Sequence, residues 1–148
     1  MSKILISVVP EEYVLDVWPR VAGYVENALE YTYGRYELAD VLHQILHEGY
    51  LLWIAFEGDH IKGAVITHFM YYPRKKFLGC PFVTGEEFDT WKGPMLETLQ
   101  RFATDNGCEG LEATARLGWA RKFEDDGYEA LWQTFQLPAN VEAAVTNG

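Results

Sequence analysis

The apolar positions of the chain change rhythm several times, and each change predicts an element. Residues 3-KILISVV-9 form a short β-rich run closed by Pro10. From 11-EE-12 onward, Tyr13, Val14, Val17, Val21, Tyr24, Val25 and Leu29 recur near helical spacing. Pro19 interrupts them and predicts either a kink or a helix that starts there. Beyond the aromatic break 31-YTYGRY-36, Leu38, Val41, Leu42, Ile45 and Leu46 predict a second helix over 37–48, ended by Gly49. Two β-rich runs, 50-YLLWIAFE-57 and 61-IKGAVITHFMYY-72, flank 58-GD-59 and predict a hairpin, because such turns match strand twist.

A third strand is expected over 76–83, after Pro73. Then Phe88, Trp91, Met95, Leu96, Leu99, Phe102 and Ala103 trace a helical stripe that stops at 105-DNG-107. The chain closes with a strand over 109-EGLEATA-115, a short helix through 119-WARKFED-125 and a strand over 130-ALWQTFQL-137. The order β-α-α-β-β-β-α-β-α-β describes an α+β domain, a mixed sheet packed by helices. One domain is expected over 1–137, with a small, polar, peripheral tail over 138–148.

Composition agrees with one packed core. The 148 residues are 49% hydrophobic, 23% charged and 15% aromatic, which argues against disorder. A formal net charge of -10 disfavours nucleic acid and anionic membrane as partners. The one basic cluster, 74-RKK-76, is too short to reverse that balance. No stretch approaches the ~20 apolar residues of a membrane span, and the N-terminus reads as a strand instead of a signal peptide. Cys80 and Cys108 are read as buried free thiols of a reducing compartment, so a cytoplasmic location is expected.

From Leu51 onward the chain resembles the Gcn5-related N-acetyltransferase (GNAT) superfamily. The residues that carry the resemblance are the strand pair, the amphipathic helix ending in 103-ATDNGC-108, and 119-WARKFEDDGY-128. The last is similar to the family's aromatic-Glu-x-x-Gly-aromatic signature. The resemblance implies a mixed, mostly antiparallel central sheet flanked by helices. It also implies an acetyl-CoA diphosphate held on backbone amides at the start of the long helix, where orphan N–H groups and the dipole favour anions.

Two positions depart from that pattern. Aligned on Ala103 and Gly107, 87-EFDTWK-92 covers the family's phosphate loop, so that Glu87 replaces Arg or Gln, Thr90 the first glycine and Lys92 the final small residue. Glu86, Glu87 and Asp89 put like charge where a diphosphate would rest, with Lys92 as compensation. Pro94 is expected to remove an amide from the first turn. A register that uses Gly93 recovers one glycine only. Phe123, in turn, stands where related enzymes carry a tyrosine that protonates the leaving thiolate, a role worth about 10²–10⁴-fold. Tyr128 is expected to be packed.

Other titratable groups carry weaker signals. His43 and His47 are four apart, but 43-HQILHE-48 lacks the glutamate of the zinc-protease pattern, and no metal is expected. His60 and His68 read as structural. The pairs 11-EE-12, 86-EE-87 and 125-DD-126 suit helix starts and a turn better than catalysis.

The first expectation is therefore a noncatalytic GNAT-fold binding or assembly protein with no catalytic residue and no cofactor. The missing loop is similar to degenerate members of tailed bacteriophages, virion-associated proteins of the head interior or head–tail region. A protein partner is expected, either phage structural proteins or a second copy. Candidate contact residues are Tyr31, Tyr33, Arg35, Tyr36, Tyr71, Tyr72 and Arg74, aromatic anchors with polar companions. The alternative is an acetyl-CoA-dependent N-acetyltransferase acting on a cationic amine. There Val83, Lys92 and Gly93 would hold the cofactor, and the amine would enter beside 31–36.

Overall fold

A computed structural model of the chain describes residues 3–115 and 117–140. The chain falls into two compact units, Met1–Thr114 and Ala115–Gly148. In the first unit, strands β1 (Ile4–Val8), β2 (Leu51–Glu57), β3 (His60–Tyr71), β4 (Lys76–Gly85) and β5 (Leu111–Ala113) form one sheet in that spatial order. The first four pair antiparallel, while β5 runs parallel to β4. Helices α1 (Val14–Leu29), α2 (Leu38–His47) and α3 (Phe88–Asp105) complete the unit. The expected mixed, mostly antiparallel sheet flanked by helices is thus observed.

Period-two alternation along the strands sorts the core onto the two faces of the sheet. Leu52, Ala64, Ile66 and Phe82 face Val14, Val21 and Val25 of α1 with Val41 and Ile45 of α2. Trp53, Ala55, Val65, Leu78 and Cys80 face Trp91, Met95, Leu99 and Ala103 of α3. The α3 stripe read from the sequence is the buried one.

The ends of the helices follow local chemistry. Glu37 caps α2 in a reciprocal box: its N–H donates to Asp40 Oδ2 at 2.8 Å, and its own carboxylate accepts from the Asp40 backbone. Gly107 (φ 74) ends α3 by donating to the Thr104 carbonyl at 3.1 Å, and Cys108 N–H donates to Ala103 at 2.9 Å. That pair of bonds is the Schellman arrangement, which needs a left-handed residue after the cap. The β2–β3 connection is the predicted two-residue turn, with Gly58 at φ 60.

Several expectations are corrected. A short 3-10 turn over Glu11–Tyr13 leads into α1, which runs through Pro19 and does not start there. Pro19 lies on the exposed side with Leu15, so the carbonyl it fails to satisfy faces water. Pro94 lies in the second turn of α3, not the first, because the helix starts at Phe88. Cys108 is only half-buried, although both cysteines are free thiols. No helix among the described residues is long and apolar enough to cross a membrane.

The second unit holds a 3-10 turn over Leu117–Trp119 and helix α4 (Ala120–Asp125). The strand expected over 130–137 is not formed: residues 128–138 have no regular structure. Its apolar side chains are exposed, Trp132 by 67%, Phe135 by 86% and Leu137 by 81%. β-propensity is realised only where a segment joins a ladder, and 130–137 is in none of the strand pairings of the sheet. Of the tail expected over 138–148, residues 141–148 lie outside the described residues.

Candidate functional site

Two places in the first unit carry the chemistry singled out in the sequence, the start of α3 and a cavity on the α1–α2 face of the sheet. The start of α3 is shaped by the neighbouring strand β3. Against Ala55 and Phe56 of β2, the β3 register shifts at Lys62. On its other side, towards β4, the Lys62 carbonyl accepts Glu86 N–H at 2.8 Å, next to the Gly63–Gly85 pair. Gly85 (φ 141) sits so close that a Cβ would lie 2.3 Å from the Lys62 oxygen. Glycine is required there by close backbone approach.

Next along the chain, Glu87 takes a left-handed conformation (φ 50), and its carbonyl accepts Thr90 N–H at 2.9 Å and Thr90 Oγ1–H at 2.7 Å. Trp91 is fully buried among the α3-face core, with its indole N–H donated to the Glu86 carbonyl at 2.9 Å. The two roles that the sequence allowed for Trp91, loop and core stripe, are settled in favour of the stripe.

The carboxylates of this segment are paired, and by more side chains than Lys92. His60 Nε2 lies 2.5 Å from Glu86, Lys62 Nζ lies 3.0 Å from Glu87 and 3.6 Å from Glu57, and Lys92 Nζ lies 3.9 Å from Asp89. The hydrogen bond with His60 holds the Glu86 carboxyl below its ordinary range, and the bond to Glu87 raises the Lys62 ammonium. Four carboxylates against these three partners leave the helix start acidic. Such an end does not suit a diphosphate, which needs glycine amides and positive charge. Val83 is half-buried in the α3-face core, and Gly93 is exposed on α3.

The cavity opens where β4 and β5 part. Their parallel pairing ends at Cys80–Ala113. Just beyond, the register of β3 and β4 shifts, so that Cys80 and Pro81 oppose the single residue Thr67. Pro81 has no N–H to lose from the ladder and is tolerated at such a bulge. A cavity of about 220 Å³ lies here, lined by Tyr36, Gln44, Tyr50, His68, Glu112 and Thr114 over a floor of β3 and β4. Gly79 keeps that floor low, since a Cβ would lie 2.7 Å from Met70 Sδ.

Its polar groups are unequally satisfied. Tyr72 donates its hydroxyl to Glu112 Oε2 at 2.9 Å. Tyr50 stacks flat on His68, ring centroids 4.3 Å apart. Burial pushes the His68 imidazole below its ordinary value, so the ring is neutral at pH 7. Burial also raises the Tyr50 phenol. Gln44 Oε1 is buried with no hydrogen-bond partner among the described residues. An unpaired buried acceptor costs about 1–3 kcal/mol.

Of the residues proposed for partner contact, Tyr36 lines the cavity and Tyr72 reaches it through Glu112. Tyr31 and Tyr33 are exposed on the α1–α2 turn, with the Arg35 guanidinium 5.8 Å from the Tyr33 ring. Tyr71 and Arg74 are exposed near the β3–β4 turn. His43 and His47 touch each other on α2, ring centroids 4.8 Å apart. Among the described residues, no three His, Cys, Asp or Glu side chains converge as metal ligands would. Gln44, Tyr50 and Glu112 were missed in the sequence. They come from α2, the residue before β2, and β5, and no linear spacing links them.

In the second unit, Phe123 has a structural role. Tyr128 N–H donates to its carbonyl at 2.9 Å and Gly127 N–H to Glu124 at 3.1 Å, with Gly127 at φ 95. The Phe123 and Tyr128 rings meet edge to face at 5.0 Å. These are the bonds and the apolar contact of a Schellman helix end, the same device that closes α3.

No family model and no curated protein matches the sequence. Solved structures do match the fold. A ribosomal-protein-alanine N-acetyltransferase from Brucella melitensis biovar Abortus superposes with a TM-score of 0.68 at 14% identity, covering 93% of this chain and 100% of its own. An aminoglycoside acetyltransferase from an uncultured soil metagenomic sample, in complex with sisomicin, gives 0.65 at 15% identity, covering 93% and 96%. An integron cassette protein from V. cholerae gives 0.65 at 15% identity over 98% of both chains. The chain has the mixed, mostly antiparallel fold of the Gcn5-related N-acetyltransferases.

Proposed function

We propose that the protein is an N-acyltransferase that takes acetyl-CoA as donor and a cationic amine as acceptor. The observation that carries this reading is the cavity at the β4–β5 parting, in a fold shared with acetyltransferases. It lies beside Tyr36, on the side where the resemblance implies the acceptor enters. The acidic chain would draw a cationic acceptor toward it. On the donor side, Val83, Lys92 and Gly93 are the residues offered to the cofactor. The acidic start of α3 does not fit the diphosphate, and donor binding is expected to be weak.

A second reading has its own support in those carboxylates. Glu86, Glu87 and Asp89 fit a noncatalytic binding module that has kept the acceptor cavity without the donor grip. The virion setting has no structural observation behind it.

One experiment separates the two readings: titration calorimetry with acetyl-CoA, followed by thiol release with a panel of amines. Saturable donor binding and amine-dependent thiol release support the enzyme. No heat and no thiol at any donor concentration would remove it and leave the binding module.

A further inference from the structure

The geometry points to His43 and His47, on the outer face of α2, as a chelating site for a divalent late transition-metal ion: Cu²⁺, Ni²⁺ or Zn²⁺. The site does not depend on the acyltransferase reading, because neither histidine lines the cavity at the β4–β5 parting.

Three observations converge. First, the two histidines are four apart on α2, a spacing that sets side chains one above the other on one face. Both are exposed, away from the buried Val41 and Ile45.

Second, the imidazoles already meet at a distance that one ion can bridge, with ring centroids 4.8 Å apart. A metal held about 2.0–2.1 Å from a ring nitrogen lies roughly 3.2 Å from that ring's centroid. Two such legs span about 4.5 Å at a right angle and about 5.2 Å at the tetrahedral angle. The observed 4.8 Å falls between them. Tilt matters as well. An imidazole binds a metal in its own plane, and planes inclined at 48° meet along a line where one ion lies in both. The broad χ2 torsion of histidine lets each ring turn a nitrogen toward that line.

Third, the local charge favours a cation. From 36 to 61 the chain carries Glu37, Asp40, Glu48, Glu57 and Asp59, and no Lys or Arg. Glu11 lines the same concavity as His47.

The glutamate missing from 43-HQILHE-48 is the general base of a metalloprotease, and binding does not need it. Among the described residues no third His, Cys, Asp or Glu converges, so the other coordination positions are open to water. Two ligands on one helical turn act as a chelate, the second nitrogen being present at an effective concentration in the millimolar range. Imidazole suits Cu²⁺, Ni²⁺ and Zn²⁺, with Cu²⁺ the tightest, whereas Mg²⁺ and Ca²⁺ take oxygen ligands. Bridging 43 and 47 also fixes a turn of α2, so the ion favours the folded chain.

The test is titration of the full chain, carrying no affinity tag, with each of these five ions. Calorimetry should give one site for Cu²⁺, Ni²⁺ and Zn²⁺ and none for Mg²⁺ or Ca²⁺. His43→Gln and His47→Gln should each weaken Zn²⁺ binding at least about tenfold, because either one removes the chelate. Zn²⁺ should raise the melting temperature of the parent and leave that of both variants in place. In NMR spectra the imidazole signals of His43 and His47 should move together with Zn²⁺, while those of His60 stay. Zn²⁺ affinity kept in either variant, one of the two imidazoles moving alone, or binding no tighter than that of Ca²⁺ would overturn the assignment.

Discussion

The indole of Trp91 occupies the space that a side chain on Gly63 would need, with Trp91 Cζ2 2.2 Å from the position of a Gly63 Cβ. The indole is rigid and fully buried, so neither side can give way. Gly63→Ala should therefore lower unfolding free energy by about 1–3 kcal/mol, the range for overpacking. Gly79→Ala is the control. Its Cβ would meet the flexible end of Met70, and denaturant midpoints should show a smaller loss.

Thr67 is the buried polar residue at the sheet centre, and Trp53 donates its indole N–H to Thr67 Oγ1 at 2.9 Å. Trp53→Phe leaves that hydroxyl without its partner and should cost about 1–3 kcal/mol beyond any packing loss. Adding Thr67→Val should recover much of the hydrogen-bond part. A double-mutant cycle by urea denaturation reads the coupling directly.

Cys80 is buried on the α3 face, and burial pushes its thiol up to about 12. The thiolate is the reactive form, so Cys80 should resist alkylation in the native protein at mildly alkaline pH. Mass spectrometry after iodoacetamide treatment should find at most Cys108 modified. Both cysteines should react in denaturant.

His68 has its folded-state basicity lowered by burial from the ordinary 6.5. The unfolded chain then binds the proton more readily than the folded one. The associated stability is fully present above about pH 6.5 and is lost as pH falls through the lower folded value. His68→Phe retains a ring for Tyr50 and cannot titrate. Its stability should fall less than that of the parent between neutral and mildly acidic pH, as read by chemical denaturation at each pH.

If the carboxylates at the start of α3 weaken donor binding, removing them should strengthen it. The Glu86→Gln, Glu87→Gly double variant deletes two charges, and glycine suits the left-handed backbone at 87 (φ 50). Acetyl-CoA affinity should rise about tenfold at low salt, and the gain should shrink as salt is added. Unchanged calorimetric affinity would show that charge is not the obstacle.

Most of the first unit was legible because its elements bury one face each. The stripe through Val21, Val25, Val41 and Ile45, and the one through Trp91, Met95 and Leu99, are set by local periodicity and face the sheet as that periodicity requires. The acidic helix start was legible too, although the partners His60 and Lys62 were not. They arrive from a neighbouring strand through a register shift that no local pattern encodes. The cavity was hidden for the same reason: Gln44, His68 and Glu112 meet only after three separate elements are in register. The segment 130–137 failed in the opposite direction. Trp132 and Phe135 suit a strand, but residue type alone does not form one.

The helix end at Phe123, Gly127 and Tyr128 bears on how short signatures are interpreted. Its spacing is the spacing of a helix stop: a carbonyl three places before the cap, a left-handed glycine after it, and two rings closing over the turn. Clean helix termination alone accounts for such a pattern, whichever residue stands at the proton-donor position. A sequence search keyed to it would gather chains by how a helix finishes, irrespective of whether they turn over a substrate.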